Sequence, residues 1–126
     1  MYFPVRILVA LSSEAKPICQ YFSLKYSHKY SDLFRVFFDD SKLVWLIVSG
    51  VGSINASSAI MYLKFISDAP PWSLWINIGT AGHASKKIGK IYNISKVISN
   101  FNKEVFYTGS VVKRTFPINS LMTVNE

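Results

Sequence analysis

Three short apolar runs, each closed by a turn of small residues, constrain this chain more than any other feature. Residues 5–11 read VRILVAL and stop at Ser12-Ser13-Glu14. Residues 43–48 read LVWLIV and stop at Ser49-Gly50-Val51-Gly52-Ser53. Residues 72–78 read WSLWINI and stop at Gly79-Thr80-Ala81-Gly82. Runs of this length, rich in β-branched and aromatic side chains, suit strands covered on both faces. Such strands need helices or further sheet against them, so the chain is expected to be layered α/β.

The segments between the runs supply those layers. Ser12 and Ser13 offer helix caps, and Pro17 lacks an N–H and belongs in a first turn. A helix is therefore expected over residues 14–22, with Ile18, Cys19 and Phe22 on one face. Residues 26–32 are polar and loop-like. Residues 33–38 read as a second strand. Asp39-Asp40-Ser41-Lys42 is turn chemistry, because Asp and Ser side chains bond their own backbone, so residues 33–48 read as a hairpin. Residues 54–66 form the clearest helix, with Ile54, Ser57, Ser58, Met61 and Phe65 near one face and small Ala56 and Ala59 beside them. Ala69-Pro70-Pro71 ends it. Strands are expected over residues 88–99 and 104–112, and residues 116–126 carry no strong pattern. The order gives an α/β class with a mixed β-sheet flanked by helices, in a single domain spanning residues 1–126.

Composition narrows the functional classes. Hydrophobic residues make up 50% of the 126 and charged residues 17%, which excludes a disordered or low-complexity chain. One cysteine, Cys19, excludes a disulfide framework and fits a reducing compartment. The apolar runs fall far short of the ~20 residues a spanning helix requires. The stretch after Arg6 ends at Ser12-Ser13-Glu14 without a cleavage pattern, so a cytoplasmic protein with no membrane partner is expected. The net charge is +7. Between His83 and Arg114, Lys86, Lys87, Lys90, Lys96, Lys103, Lys113 and Arg114 face a single acid, Glu104. No more than two basic residues are adjacent and no nucleic-acid motif is present, so this reads as a solvated face, not a nucleic-acid partner. His28 and His83 lack companion ligands, and no metal is expected. Cys19, on an apolar helix face, reads as core packing.

Chemistry is expected at the three turns. In open α/β sheets, ligands bind outside the carboxyl ends of the strands. Glycine lets backbone N–H groups approach an oxyanion or a ribose, and a following helix adds a favourable dipole. Each turn taken singly is also plain connection chemistry. Glu14 has two readings: a first-turn acid that stabilises the helix dipole, or a base held at a strand end.

Taken together, the segments A-L-S-S-E-A, S-G-V-G-S-I-N-A and I-N-I-G-T-A-G resemble the nucleoside phosphorylase and nucleosidase superfamily. Their order and spacing are most similar to the methylthioadenosine/S-adenosylhomocysteine nucleosidase branch. The resemblance covers residues 7–98, and S-L-M-T-V at residues 120–124 also fits. It implies that Glu14 is the catalytic residue that activates the attacking water. It implies that Thr80, with Ala81 and Gly82, lies beside the reacting ribose, and that Gly50, Val51 and Gly52 line the substrate. It implies no cofactor and no metal. In the phosphorylase branch an arginine stands two residues before the turn glycine and binds phosphate; Asn77 stands there in this chain. A glycine- and aspartate-containing phosphate loop is likewise replaced by Ser12-Ser13-Glu14. Both departures favour water over phosphate as nucleophile.

Other departures set the remaining expectations. The family's Gly-Asp after the third segment reads Gly89-Lys90. The chain corresponds to the N-terminal half of the family's length, without the Met-Glu pair that grips the ribose hydroxyls or the aspartate that protonates the purine. The resemblance therefore implies hydrolysis of the N-glycosidic bond of a purine nucleoside or thionucleoside, with little activity from this chain alone, and a homo-oligomer. The alternatives are a degenerate or truncated homologue that binds or assembles, and a phosphate-dependent phosphorylase.

Overall fold

The computed structural model of the chain describes residues 3–109 and 116–124. Two compact units divide it, Met1–Ala81 and Gly82–Glu126.

The first unit is built on a five-stranded mixed sheet. Its elements run β1 (Val5–Val9), α1 (Ser12–Phe22), β2 (Lys25–Tyr26), β3 (Arg35–Phe38), β4 (Val44–Val48), α2 (Ser53–Ile66) and β5 (Leu74–Asn77). The spatial order is β2-β3-β4-β1-β5. β1 pairs parallel with β4 on one side and with β5 on the other, placing Ile7 opposite both Leu46 and Ile76. β3 runs antiparallel to β4 through the tight turn expected at residues 39–42, where Asp39 Oδ1 accepts the Val44 N–H.

Alternation along the strands sorts the core into two layers. Leu8, Trp45 and Ile47 face α2, whose Ala59 and Leu63 are fully buried against them and Val36. Ile7, Val9 and Leu46 face the opposite way and pack with Ala15 of α1 and Leu24. The expected mixed sheet flanked by helices is thus present, with one helix on each face.

Arg6 is the unexpected member of this core. It is 2% exposed. Its Nε donates to Ser67 Oγ (2.8 Å) and its Nη2 to the Ser67 carbonyl, while Nη1 donates to the carbonyls of Leu43 and Val5. Ser67 is the C-cap of α2, so the cation closes the negative end of that helix dipole. Burial pulls the guanidinium below its ordinary value, with Asp39 opposing. The hydrogen bonds and the dipole hold the charge without a carboxylate partner; among the described residues the ion pair is the exposed Lys25–Asp40 contact.

Several local expectations are corrected. α1 begins at Ser12 with Leu11 as N-cap, so neither serine caps it and Pro17 lies inside the helix. Packing of Ala15 and Ile18 against the sheet tolerates the backbone bond that Pro17 removes. Lys25–Tyr26, within and beside the expected loop, add a short edge strand against Phe37 and Phe38.

The second unit is a three-stranded mixed sheet of β6 (Asn93–Ser99), β7 (Val105–Tyr107) and β8 (Ile118–Thr123), in the order β7-β6-β8. β6 pairs antiparallel with β7 and parallel with β8. The strand expected over 88–99 starts five residues later, because residues 88–92 are unpaired and all but Tyr92 exposed. The strand expected over 104–112 is confined to Val105–Tyr107, and residues 110–112 lie outside the described residues. β8 arises from the tail that carried no pattern; parallel pairing to β6 supplies its order, not alternation of its own side chains.

Candidate functional site

Three strands end together at the carboxyl edge of β1, and their turns are held there by continued backbone bonding. Ser49 N–H donates to Val9 O (2.8 Å) and Gly50 N–H to Ala10 O (3.0 Å) on one side; Ile78 N–H donates to Leu8 O (3.0 Å) on the other. β1 is therefore the floor from which all three turns of interest rise.

Glu14 stands over this edge, half-buried, in the first turn of α1. Its Oε1 accepts the Leu11 N–H at 2.9 Å, the reach-back of a capping box. Leu11 has no polar side chain to return the bond, so Glu14 alone ties off this helix start. Its Oε2 accepts the Thr80 hydroxyl at 3.4 Å. Oε2 also lies 3.7 Å from where a Cβ on Gly79 would sit, an ordinary contact distance. One oxygen is thus anchored by backbone and the other looks across to the third turn. The two readings of Glu14 are compatible: the cap fixes the carboxylate's orientation, and orientation is what a base requires.

The second turn is built by conformations that glycine adopts freely. Gly50 has φ +80° and Gly52, the N-cap of α2, has φ +103° with ψ 155°. Ser49 Oγ donates to Gly50 O at 2.7 Å, and Asn55 Nδ2 donates to Val51 O at 2.8 Å. With both carbonyls held by neighbouring side chains, the Val51 and Gly52 N–H groups of the same trans peptides turn the other way. Val51 and Gly52 are exposed.

Thr80 and Ala81 are exposed and end the first unit; Gly82 opens the second. Asn77 is exposed at the end of β5, opposite Leu8. In the second unit, His83 Nδ1 accepts the N–H groups of Ser85 and Lys86, each at 3.0 Å, which closes a turn. Lys90 is exposed. Among the described residues no group of three His, Cys, Asp or Glu side chains can hold a metal, and no helix is long and apolar enough to cross a membrane. Cys19 is half-buried against the α1 layer, and burial raises its thiol above the ordinary value while Arg35 opposes the shift.

The structure thus brings Glu14 and Thr80 into contact and bonds Gly50 to the same strand end. Sequence reasoning missed Asn55, whose amide props the glycine turn. An Asn three residues past G-x-G in a helix's first turn is the available signal. It also missed Arg35, whose Nη1 donates to Ser12 Oγ at 2.9 Å across 23 residues, a contact no local pattern announces.

No protein-family model matches the sequence, and no curated protein matches it. Solved structures do match the fold. The chain shares its α/β fold with solved nucleosidases. In particular, it is similar to the apo structure of 5′-methylthioadenosine nucleosidase from Arabidopsis thaliana, with TM-score 0.78 and 18% identity over 99% of this chain and 64% of that one. It is also similar to the 5′-methylthioadenosine/S-adenosylhomocysteine nucleosidase of Neisseria meningitidis, solved with methylthio-immucillin-A, at TM-score 0.72 and 16% identity over 94% of this chain and 62% of that one. A futalosine hydrolase mutant of Helicobacter pylori strain 26695 matches at TM-score 0.58 and 16% identity, over 75% of this chain and 44% of that one. The chain therefore spans less than two thirds of each of these structures.

Proposed function

We propose that this chain carries the base-bearing part of a site that hydrolyses the N-glycosidic bond of a purine nucleoside or thionucleoside. The observation that supports it best is the Glu14–Thr80 contact at the carboxyl edge of β1, in a fold shared with nucleosidases. In this reading Glu14 Oε2 takes a proton from water as the water oxygen bonds to the anomeric carbon. The bond from that carbon to the base breaks, and its electron pair leaves with the base, which must be protonated. The state between is oxocarbenium-like, and a fixed carboxylate beside it stabilises positive charge as well as accepting the proton. Thr80, Ala81 and Gly82 on one side, and Gly50, Val51 and Gly52 on the other, are the residues proposed to line the sugar.

Two features support water over phosphate. Asn77 stands where a phosphate-binding arginine would serve the phosphorylases, and it brings no charge. The turn after β1 presents a carboxylate, which repels an anion. Asp39 and Asp40 lie in the β3–β4 turn, at the far end of β4 from Ser49, and so are not placed to protonate a departing base. General acid catalysis contributes ~10²–10⁴-fold, so turnover by this chain alone is expected near background. A cytoplasmic homo-oligomer acting on a small nucleoside, without cofactor or metal, completes the proposal.

The test is methylthioadenosine added to isotope-labelled protein, with amide shifts followed by NMR and free base followed by chromatography, with and without phosphate. Shifts concentrated at Leu11, residues 50–52 and residues 79–82 are expected, with base release near background. Shifts confined to other surfaces would sink the site. Base release that strictly requires phosphate would replace hydrolysis by phosphorolysis. Robust phosphate-independent release, lost in Glu14→Gln, would keep Glu14 as base and refute the expected lack of turnover.

A further inference from the structure

A groove of about 450 Å³ lies between α1 and β3, among residues that the proposed hydrolysis does not use. Its α1 wall repeats every turn: Ser12, Lys16 and Gln20 form one row, and Ala15, Cys19 and Ser23 the next. From Ser12 to Ser23 the helix rises roughly 16 Å. The two ends of the groove differ in chemistry. Lys16 and Arg35 stand with Ser12 near the start of α1, where the helix dipole is positive as well. Farther along, the floor is made by Cys19, Phe37 and the buried Leu24. No acidic side chain lines the groove. Burial keeps the Cys19 thiol protonated, so the floor adds no negative charge.

Arg35 is restrained without being used up. Its Nη1 donates to Ser12 Oγ at 2.9 Å, and its guanidinium carbon lies 5.8 Å from the ring centres of both Tyr26 and Phe37. Aromatic contacts of this kind hold the planar fork and leave its N–H groups unspent. Among the described residues the Ser12 bond is the one hydrogen bond Arg35 makes, and no carboxylate pairs with it or with Lys16.

We propose that this groove binds a small amphiphilic monocarboxylate, its carboxylate at Arg35 and Lys16 and its apolar chain lying toward Leu24 and Phe37. Two observations choose that occupant. First, the charge is of one sign and gathered at one end, which matches a single anionic head and disfavours a cation. A guanidinium fork receives a planar carboxylate through two parallel N–H bonds. Second, the floor beyond the cations is apolar, and the volume falls in the range of small-molecule sites, so the rest of the ligand is apolar and small. The cations stand at one end of a groove and not across a broad face, so the ligand is the free molecule and not a membrane surface.

The inference does not depend on the hydrolytic reading, since the groove lies between α1 and β3 and not over the edge of β1. Octanoate is the probe, titrated into isotope-labelled full chain with amide shifts followed by NMR. Saturable shifts at residues 12–24 and 35–37 are expected at millimolar octanoate, with Cys19 alkylation by N-ethylmaleimide slowed as the groove fills. Octan-1-ol, which lacks the charge, and acetate, which lacks the chain, should each bind at least about tenfold more weakly. Lys16→Gln, at an exposed side chain, should weaken octanoate severalfold, and Arg35→Gln at least about tenfold. The comparison of the three probes needs no variant, so it decides the matter even if Arg35→Gln disturbs the fold. Octan-1-ol binding as tightly as octanoate overturns the proposal. So do shifts confined to other surfaces, octanoate binding that Lys16→Gln and Arg35→Gln both leave unchanged, or binding to anionic lipid vesicles with none to octanoate.

Discussion

The two units of this chain are held by different means. Every side chain that is buried among the described residues lies in the first unit: eleven hydrophobic residues from Ile7 to Leu63, with Pro4, Arg6, Ser27 and Ser49. In the second unit β6 is half-buried throughout and β7 is exposed throughout. Phe101 is 83% exposed and Tyr107 80%. One unit is ordered by packing that sorts side chains to two faces; the other is ordered by backbone ladders, with little apolar area withdrawn from water. Packing resists change strongly and locally, whereas an unpacked ladder opens readily.

That contrast can be broken by experiment. The largest expected effect is Leu63→Ala, which empties a fully buried position between α2 and the sheet and should cost about 2–5 kcal/mol by chemical denaturation. Val97→Ala in β6 should cost less than about 1 kcal/mol; an equal loss at both positions would end the distinction. Next, Arg6→Met leaves the Ser67 and Leu43 oxygens without their donor and should cost about 2 kcal/mol. If that substitution is neutral, the clamp on α2 contributes nothing and the core is apolar in effect. Smaller again is Glu14→Ala, expected to cost about 0.5–1 kcal/mol through the lost Leu11 bond, while Glu14→Gln, which still accepts that bond, should cost less. Comparing these two separates the helix-start role of Glu14 from any chemical one. The smallest effect concerns Tyr62, whose hydroxyl donates to Tyr30 O at 2.7 Å and whose ionisation is pushed above the ordinary value of 10.0, mainly by burial. The native state holds this proton more tightly than the unfolded chain, so stability should fall as pH rises past 10.0. Tyr62→Phe should flatten that fall, and an unchanged slope would show that the hydroxyl is indifferent to folding.

The same contrast explains what could be read from the sequence. Residues 5–11, 43–48 and 72–78 announced β1, β4 and β5 because strands covered on both faces must be continuously apolar, and that signal survives without context. The helix over residues 54–66 was legible from the side chains that share one face and from the Ala69-Pro70-Pro71 stop, although its Ile54–Met61–Phe65 stripe faces outward and the sheet is packed by Ala59 and Leu63. β2 and β8 were not legible. Each takes its order from a neighbour in the sheet, Phe37 and Phe38 for one and β6 for the other, and pairing leaves no mark in the paired residues alone. At the site, the turns themselves were legible from their glycines and the strand ends before them. That the first and third turns would meet at one edge of the sheet was legible too; the Glu14–Thr80 hydrogen bond itself, between residues 66 apart, was not. Residues 110–112 of an expected strand lie outside the described residues.

The central position of β1 carries a consequence for how the chain is made. Val5–Val9 leaves the ribosome before either of its sheet partners: it has none until Val44–Val48 has followed, and none on its other side until Leu74–Asn77 is synthesised. The Arg6 guanidinium waits equally long, since its partner Ser67 is 61 residues away. Parallel pairing allows no shortcut through a local hairpin. The hairpin of β3 and β4 can form early from neighbouring sequence, while the segment VRILV stays apolar, uncommitted and open to wrong pairings until its own partners have emerged. The strand that anchors every turn of the site is made before both of the strands that enclose it.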